Sequence, residues 1–410
     1  MLRDPVLLAV SGGSDSLALL MLAQEAGLNC HVVTVDHGLR AEAADETAYV
    51  GSLCRQLGVP HTIQAVRWAT GEVPSQSRAR THRYRLLSNT ARTIGARLIL
   101  AGHTEDDQAE TICLRQRAGS DDWGLAGMQA FAPIPVWPEG YDLFLGRPLL
   151  DQRREALRAL LRDKAVAWCD DPSNENVAYQ RVEIRQMLSG EPDIYQSMLS
   201  KQRQSAEKRQ RMASDLRLFL AGAVRWMPGG GIMMDRQAFG ALSHDLRYRL
   251  LALLLPCIAG RQALPRRSAL EELLQDKFHS PRTLAGARIE ALGTQIMITP
   301  EIDASETTQI TSGQSVWQGR VLFEFKHLTD TTLRIAAWGD RTVPSDLKMA
   351  KDLPFKMRKA LPVLLDEAGQ LLSVPHLQPQ RGLDVTDLAE KRLNIWLDAE
   401  SELQGVEIGS

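Results

Sequence analysis

Val6-Leu7-Leu8-Ala9-Val10-Ser11-Gly12-Gly13-Ser14-Asp15-Ser16-Leu17 is the stretch on which the fold turns. The apolar run 6–10 reads as a strand buried on both faces, and the amphipathic stretch 17–26 reads as a helix. Between them lies a turn of small residues. Glycine lets backbone come close to a phosphate, and the first turn of a helix points unpaired N–H groups outward. Strand, small-residue turn and helix start therefore make an anion-binding site, and the anion implied is the phosphate chain of a nucleotide. The more familiar phosphate loop ends in Gly-Lys-Ser/Thr, whose lysine reaches the terminal phosphates. Here there is no lysine, and Asp15 stands in the loop instead.

Working outward, strand-like and helix-like segments alternate. Strands are expected at 6–10, 30–35, 61–66 and 97–101, each followed by a helix, at 17–26, 42–57, 77–94 and 105–118. That order predicts an α/β fold, a doubly wound parallel sheet with crossover helices. Ligands of such sheets bind beyond the carboxyl ends of the strands. Three of those ends carry polar clusters: Ser11 to Ser16, Asp36-His37-Gly38-Leu39-Arg40, and His103 to Asp107.

At 410 residues the chain is long enough for two or three domains, since single cores rarely exceed about 250–300 residues. The expected division is 1–190, then a mainly helical segment 191–300 with a long basic helix, then a small α+β domain 315–410. Pro228-Gly229-Gly230-Gly231 marks a break after the long helix. No apolar stretch approaches the ~18–20 residues of a membrane span, and no secretion signal opens the sequence, so a soluble cytoplasmic protein is expected. The five cysteines form no Cys-x-x-Cys pair and no zinc spacing, which argues for reduced thiols.

The net charge is only −2, but its distribution is uneven. No acidic residue falls between Glu72 and Glu105, where Arg78, Arg80, Arg83, Arg85, Arg92 and Arg97 lie. A second segment carries Lys201, Arg203, Lys208, Arg209 and Arg211 against Glu207 alone. Such local fields attract phosphate backbones, although a solvated basic face paired with distant acids would look the same.

Ser-Gly-Gly-x-Asp-Ser resembles the pyrophosphate loop (PP-loop) of N-type ATP pyrophosphatases, which split ATP between the α and β phosphates. Further motifs narrow the resemblance: Val35 to Arg40; Ala79-Arg80 with Arg83-Tyr84; Gly102 to Thr111; and Asp171-Pro172-Ser173-Asn174 with Arg181 and Arg185. In order and spacing over roughly the first 190 residues they resemble the tRNA(Ile)-lysidine synthetase family. Two departures stand out. The family often has paired histidines where this chain has His103-Thr104, and the C-terminal half matches only loosely.

The resemblance implies a two-step reaction on the wobble cytidine of an isoleucine tRNA with a CAU anticodon. ATP adenylates the cytosine C2 oxygen, pyrophosphate leaves, and the ε-amine of free L-lysine attacks C2 and expels AMP. ATP, Mg²⁺, the tRNA and lysine are the implied ligands, and family members are often homodimers. The ATP site would comprise Ser11, Gly12, Gly13, Ser14, Asp15 and Ser16 with His103. Lysine would lie against Asp106, Asp107 and Glu110. Arg83, Arg185 and the five cations of 201–211 would meet tRNA.

The residues bear on that chemistry directly. Asp15 beside phosphates calls for a bridging Mg²⁺, unless it only caps backbone amides. On a helix from Glu105, Asp106 and Glu110 are four apart and Asp107 and Glu110 three apart, so one face presents crowded carboxylates that a cationic ligand would relieve. Lysine must lose a proton before attack, at a cost of about 4–5 kcal/mol near neutral pH. Asp36, Asp107 or Glu110 could be the general base, and Asp36 could equally orient the cytosine or bind magnesium. Arg80 and Arg83 share a helix face, where they could grip the α-phosphate or the anticodon backbone. An arginine plane or the Tyr84 ring could stack on the splayed cytosine, with Tyr84 as core filling the alternative. The proposed catalytic set is thus Asp36, Arg80, Asp107 and Glu110.

Three other classes share parts of the pattern. A tRNA thiolase would share the loop but usually relies on paired or catalytic cysteines. A small-molecule amide ligase would have no use for the arginine window. A non-catalytic tRNA-binding protein would leave the acid cluster unexplained.

Overall fold

A computed structural model of the chain describes residues 4–38, 43–73, 75–169, 180–302, 306–310, 313–326, 333–344 and 347–404. The motif Asp171-Pro172-Ser173-Asn174 lies outside them, as do Leu39 and Arg40. The chain divides into two compact units, Met1–Ala213 with Asp398–Ser410, and Ser214–Leu397.

The first unit runs β1 (Val6–Ala9), α1 (Ser14–Glu25), β2 (Cys30–Asp36), α2 (Ala43–Leu57), β3 (His61–Ala65), α3 (Gln76–Ile94), β4 (Leu98–Ala101) and α4 (Glu105–Arg117). It continues with α5 (Asp122–Leu125), β5 (Phe131–Pro133), β6 (Phe144–Gly146), α6 (Arg154–Asp163), α7 (Gln180–Gly190) and α8 (Pro192–Ala223). The sheet order is β3-β2-β1-β4-β6-β5, with every neighbouring pair parallel except β5 with β6. Successive residues of β1 feed opposite cores. Leu8 packs with Leu17 and Leu20 of α1, Val50 of α2 and Leu161 of α6. Leu7 packs with Tyr84, Leu87 and Ala91 of α3. Each fully buried leucine contributes about 1.5–3 kcal/mol, and the two-faced demand is why β1 is apolar throughout.

The expected strands and helices of the first four βα units are present. Strands β5 and β6 were not foreseen, because three residues each, among prolines and tryptophans, give no period to read.

The second unit opens within α8. Strands Val224–Met227 and Gly231–Asp235 form a hairpin whose turn uses Gly229 and Gly230 at φ +85° and +79°. With Gln295–Pro300, Ala287–Leu292 and Arg282–Leu284 they make a five-stranded antiparallel sheet, so segment 191–300 holds a sheet besides its helices. Sheets of four and three strands follow. Buried Arg320 donates to the Gly229 carbonyl at 3.2 Å and Asp387 accepts from the Gly229 N–H at 3.0 Å, tying this hairpin to the later sheets.

Candidate active site

The carboxyl ends of β1, β4 and β6 lie side by side, because Ala9 pairs with Ala101 and Leu100 with Gly146. Strand order reverses between β1 and β4, which is where ligands of such sheets bind. Each of the three strands hands over to polar residues there: Ser11 to Ser16, His103 to Asp107, and Arg147.

The phosphate loop is folded around Ser16. Its hydroxyl accepts from the Ser11 N–H at 3.1 Å and donates to the Gly13 carbonyl at 2.9 Å. Gly12 sits at φ +92°, a conformation side chains resist. Among the described residues no side chain caps α1, so its first N–H groups are left for an anion. The β4 end presses on this loop: a Cβ on Gly102 would stand 2.6 Å from the Asp15 carbonyl oxygen.

Helix α4 starts with a capping box, in which the Asp107 N–H donates to Thr104 Oγ1 at 3.3 Å and the Thr104 N–H to Asp107 Oδ2 at 2.9 Å. Its acids face Arg154, the first residue of α6. Arg154 Nε donates to Asp15 at 2.9 Å, Nη2 to Asp107 at 2.9 Å, and its backbone N–H to Asp106 at 2.7 Å. Burial alone would lower the Arg154 pKa, but Asp107, Asp15 and Glu110 outweigh it and raise it. Burial raises Asp15, and Arg154 only partly offsets this.

The acid cluster was expected to need a cationic ligand. Arginines of the chain itself already neutralise it. Glu110 is 2% exposed and takes Arg185 Nε at 2.8 Å, with Arg154 at 3.7 Å. Arg185, expected at a tRNA backbone, therefore points inward, because a buried carboxylate demands a partner. Arg153 lies 3.6 Å from Asp106 and over the Tyr195 ring at 4.1 Å. Asp36 stays in its own turn, accepting from the Gly38 N–H at 2.8 Å.

Helix α3 brings Arg80 and Arg83 within 4.9 and 5.4 Å of the Tyr84 ring centre. Tyr84 is 1% exposed, so its ring is core and not a platform for a base. Arg147, 7% exposed, joins them: Nη1 donates to the Gln129 carbonyl at 2.7 Å, while Nε has no partner among the described residues. Nor do Arg83 Nε and His103 Nδ1, and the Tyr84 hydroxyl lies beside Arg83. His103 is pushed down to about 3, first by burial and then by Arg147. Burial would raise the Tyr84 pKa, but Arg83, Arg80 and Arg147 overcome it and lower it.

On α8, Gln202, Ser205 and Arg209 face the α5 region, with bonds to Ala126, Asp122 and Gly127. Arg209 is thus not an outward cation, and burial lowers it to about 10. Lys208 pairs with Asp122 at 2.9 Å, and Lys201 is half-buried. Arg203 and Arg211 are exposed. Cys113 packs in an apolar cluster, and Cys169 meets the phosphate loop through its backbone N–H, which donates to the Gly12 carbonyl at 3.0 Å. Among the described residues no group of three His, Cys, Asp or Glu side chains is placed to hold a metal, and no helix is long and apolar enough to cross a membrane. Magnesium at phosphate sites commonly takes only one or two carboxylates, and the Asp15 carboxylate stands in the phosphate loop.

Sequence reading missed Arg147 and Arg154. The signal for Arg154 was the acid row itself, which required cations from somewhere in the chain.

A nucleotide-binding PP-loop domain is defined by this fold and loop, and a family model described as a PP-loop domain matches residues 3–191. A tRNA(Ile)-lysidine synthase of Hyphomonas neptunium is 41% identical over 314 residues, 73% of this chain and 83% of that protein. Those of Ruegeria pomeroyi and Brucella anthropi are 36% and 34% identical, covering 80% and 91% of this chain and 78% and 86% of theirs. The chain belongs to the tRNA(Ile)-lysidine synthase family.

Proposed function

We propose that this protein ligates free L-lysine to C2 of the wobble cytidine of a tRNA(Ile) with a CAU anticodon, converting ATP to AMP and pyrophosphate through an adenylated cytidine. The observation that carries the reading is the Arg154 bridge, which brings the phosphate loop and the acid row within reach of one guanidinium, at 2.9 Å from each of Asp15 and Asp107. Nucleotide chemistry and amine capture are thereby neighbours.

The amides of Gly12 and Gly13, the hydroxyls of Ser11, Ser14 and Ser16, and the bare N-terminus of α1 bind the departing pyrophosphate. Asp15 would hold Mg²⁺, which when bound neutralises phosphate charge. Arg80 grips the α-phosphate, and Arg83 and His103 line the same pocket. Lysine's ammonium groups lie against Asp106 and Asp107, whose side chains are each 22% exposed. The proton of the attacking amine goes to Asp107, whose side chain is 22% exposed, whereas that of Glu110 is 3% exposed and sealed under Arg185. Asp36 orients the cytosine, and exposed Arg203 and Arg211 meet the tRNA backbone. The reaction belongs in the cytoplasm, and sedimentation would test the expected homodimer.

Pyrophosphate release tests the order of steps. With ATP, magnesium and the unmodified tRNA but no lysine, a tRNA-dependent burst of pyrophosphate is expected. Release that requires lysine would contradict an adenylated cytidine formed first.

A further inference from the structure

Resting on the reading above, we infer that Arg147 is a further catalytic residue, whose unpartnered Nε donates to the α-phosphoryl group of the nucleotide. Arg147 follows β6 at the carboxyl edge of the sheet, and Gly146 is in register with Leu100 of β4, beside the strand that leads to His103. The side chain is 7% exposed, and the Gln129 carbonyl takes only Nη1.

The surroundings specify the ligand's charge. Arg83 Nε, Arg147 Nε and His103 Nδ1 are all buried without hydrogen-bond partners among the described residues. Buried polar groups are ordinarily hydrogen-bonded, so this concentration points to a ligand rather than to packing. Burial lowers the Arg147 pKa most, Tyr84 opposes this, and the Arg80 and Arg115 guanidinium groups lower it further. A neutral base edge would leave that repulsion standing, whereas a phosphoryl group removes it and accepts several N–H bonds.

In the first step the cytosine C2 oxygen bonds to the α-phosphorus, and the bond to the bridging oxygen breaks, with its electron pair leaving on pyrophosphate. The α-phosphoryl oxygens gain charge as this happens. Arg147 donates to them throughout, keeps its proton, and stays hydrogen-bonded until lysine attack releases AMP.

Calorimetric titration of the whole chain with AMP and with adenosine isolates this interaction, since the two ligands differ only in the phosphoryl group. Wild type is expected to favour AMP. In Arg147→Gln that preference falls about tenfold or more while adenosine affinity holds. Wild type without a preference for AMP, or a preference unchanged in a folded Arg147→Gln, would overturn the assignment. Should Arg147→Gln fail to fold, Arg147→Lys decides: it keeps the charge without Nε, so a reduced AMP preference supports the assignment and an undiminished one overturns it. Pyrophosphate release by wild type with tRNA is scored separately, so a failure of the ligase reading is distinguishable from a failure of the Arg147 assignment.

Discussion

Asp15 of the phosphate loop and Asp107 of the acid row share one guanidinium, that of Arg154, at 2.9 Å each. Like charges so close are held only because the cation between them is retained. Removing it leaves two half-buried carboxylates facing each other, which costs about 3 kcal/mol where a buried pair is broken. Arg154→Met should therefore lower the thermal midpoint and weaken ATP binding, whereas Arg154→Lys should restore part of the midpoint. Differential scanning fluorimetry with and without ATP checks this, and unchanged melting would show that the bridge contributes nothing.

Gly102 gives a test of loop shape that involves no charge. A methyl group there meets the Asp15 backbone at 2.6 Å, and neither strand nor loop can yield cheaply. Gly102→Ala should cost about 1–3 kcal/mol and weaken nucleotide binding well beyond that of Gly71→Ala, a glycine with open space around it but φ +83°. Equal nucleotide affinities in the two variants would mean that the close approach is tolerated.

His103 makes stability depend on pH. Its folded pKa is about 3 against an ordinary 6.5, so between those values the unfolded chain binds a proton that the folded chain refuses. Stability therefore falls as pH drops below about 6.5, by at most about 1.4 kcal/mol per pH unit for one proton. The wild-type midpoint should drop further than that of His103→Asn between pH about 7.5 and about 5. Parallel drops would contradict the assignment.

The cysteines separate ligation from sulfur transfer. Cys169 touches the loop through its N–H, which alanine keeps, and Cys113 only fills apolar space. Cys113→Ala and Cys169→Ala should retain most lysine transfer in steady-state assays. Complete loss in either would favour thiolase-like chemistry.

Cations on α8 are predicted to divide by the direction they face. Arg203→Ala and Arg211→Ala should each reduce tRNA affinity and flatten the logarithmic salt dependence by about 0.7–0.9 for every phosphate no longer neutralised. Arg209→Ala, which removes the bond to the Gly127 carbonyl, should lower stability instead. Filter binding across salt concentrations distinguishes them, and identical slopes for all three would contradict the facing.

Much of the fold was legible because its signals are local. Leu7 and Leu8 are both fully buried on opposite faces, and such a strand must be apolar in every position. The capping of α4 and the glycine turn of the phosphate loop are likewise written in consecutive residues. Arg154 was not legible, since its partners Asp15, Asp107 and Glu110 lie far away in sequence and α6 reads as an ordinary basic amphipathic helix. The same limit explains Arg185 and Arg209: a charge count tells that a cation exists, and only tertiary packing tells which carboxylate or carbonyl claims it. Pro228-Gly229-Gly230-Gly231 looked like a break because its glycines mark a turn, and the flanking strands were too short to announce themselves.

Incorporation of labelled lysine into an unmodified tRNA(Ile) with a CAU anticodon tests the central claim most directly, with a control tRNA whose wobble cytidine is replaced by uridine. Incorporation that requires both ATP and the wobble cytidine, and that Asp107→Asn abolishes while tRNA-dependent pyrophosphate release persists, is the predicted result. Pyrophosphate release without lysine incorporation in the wild type would contradict lysine as the nucleophile.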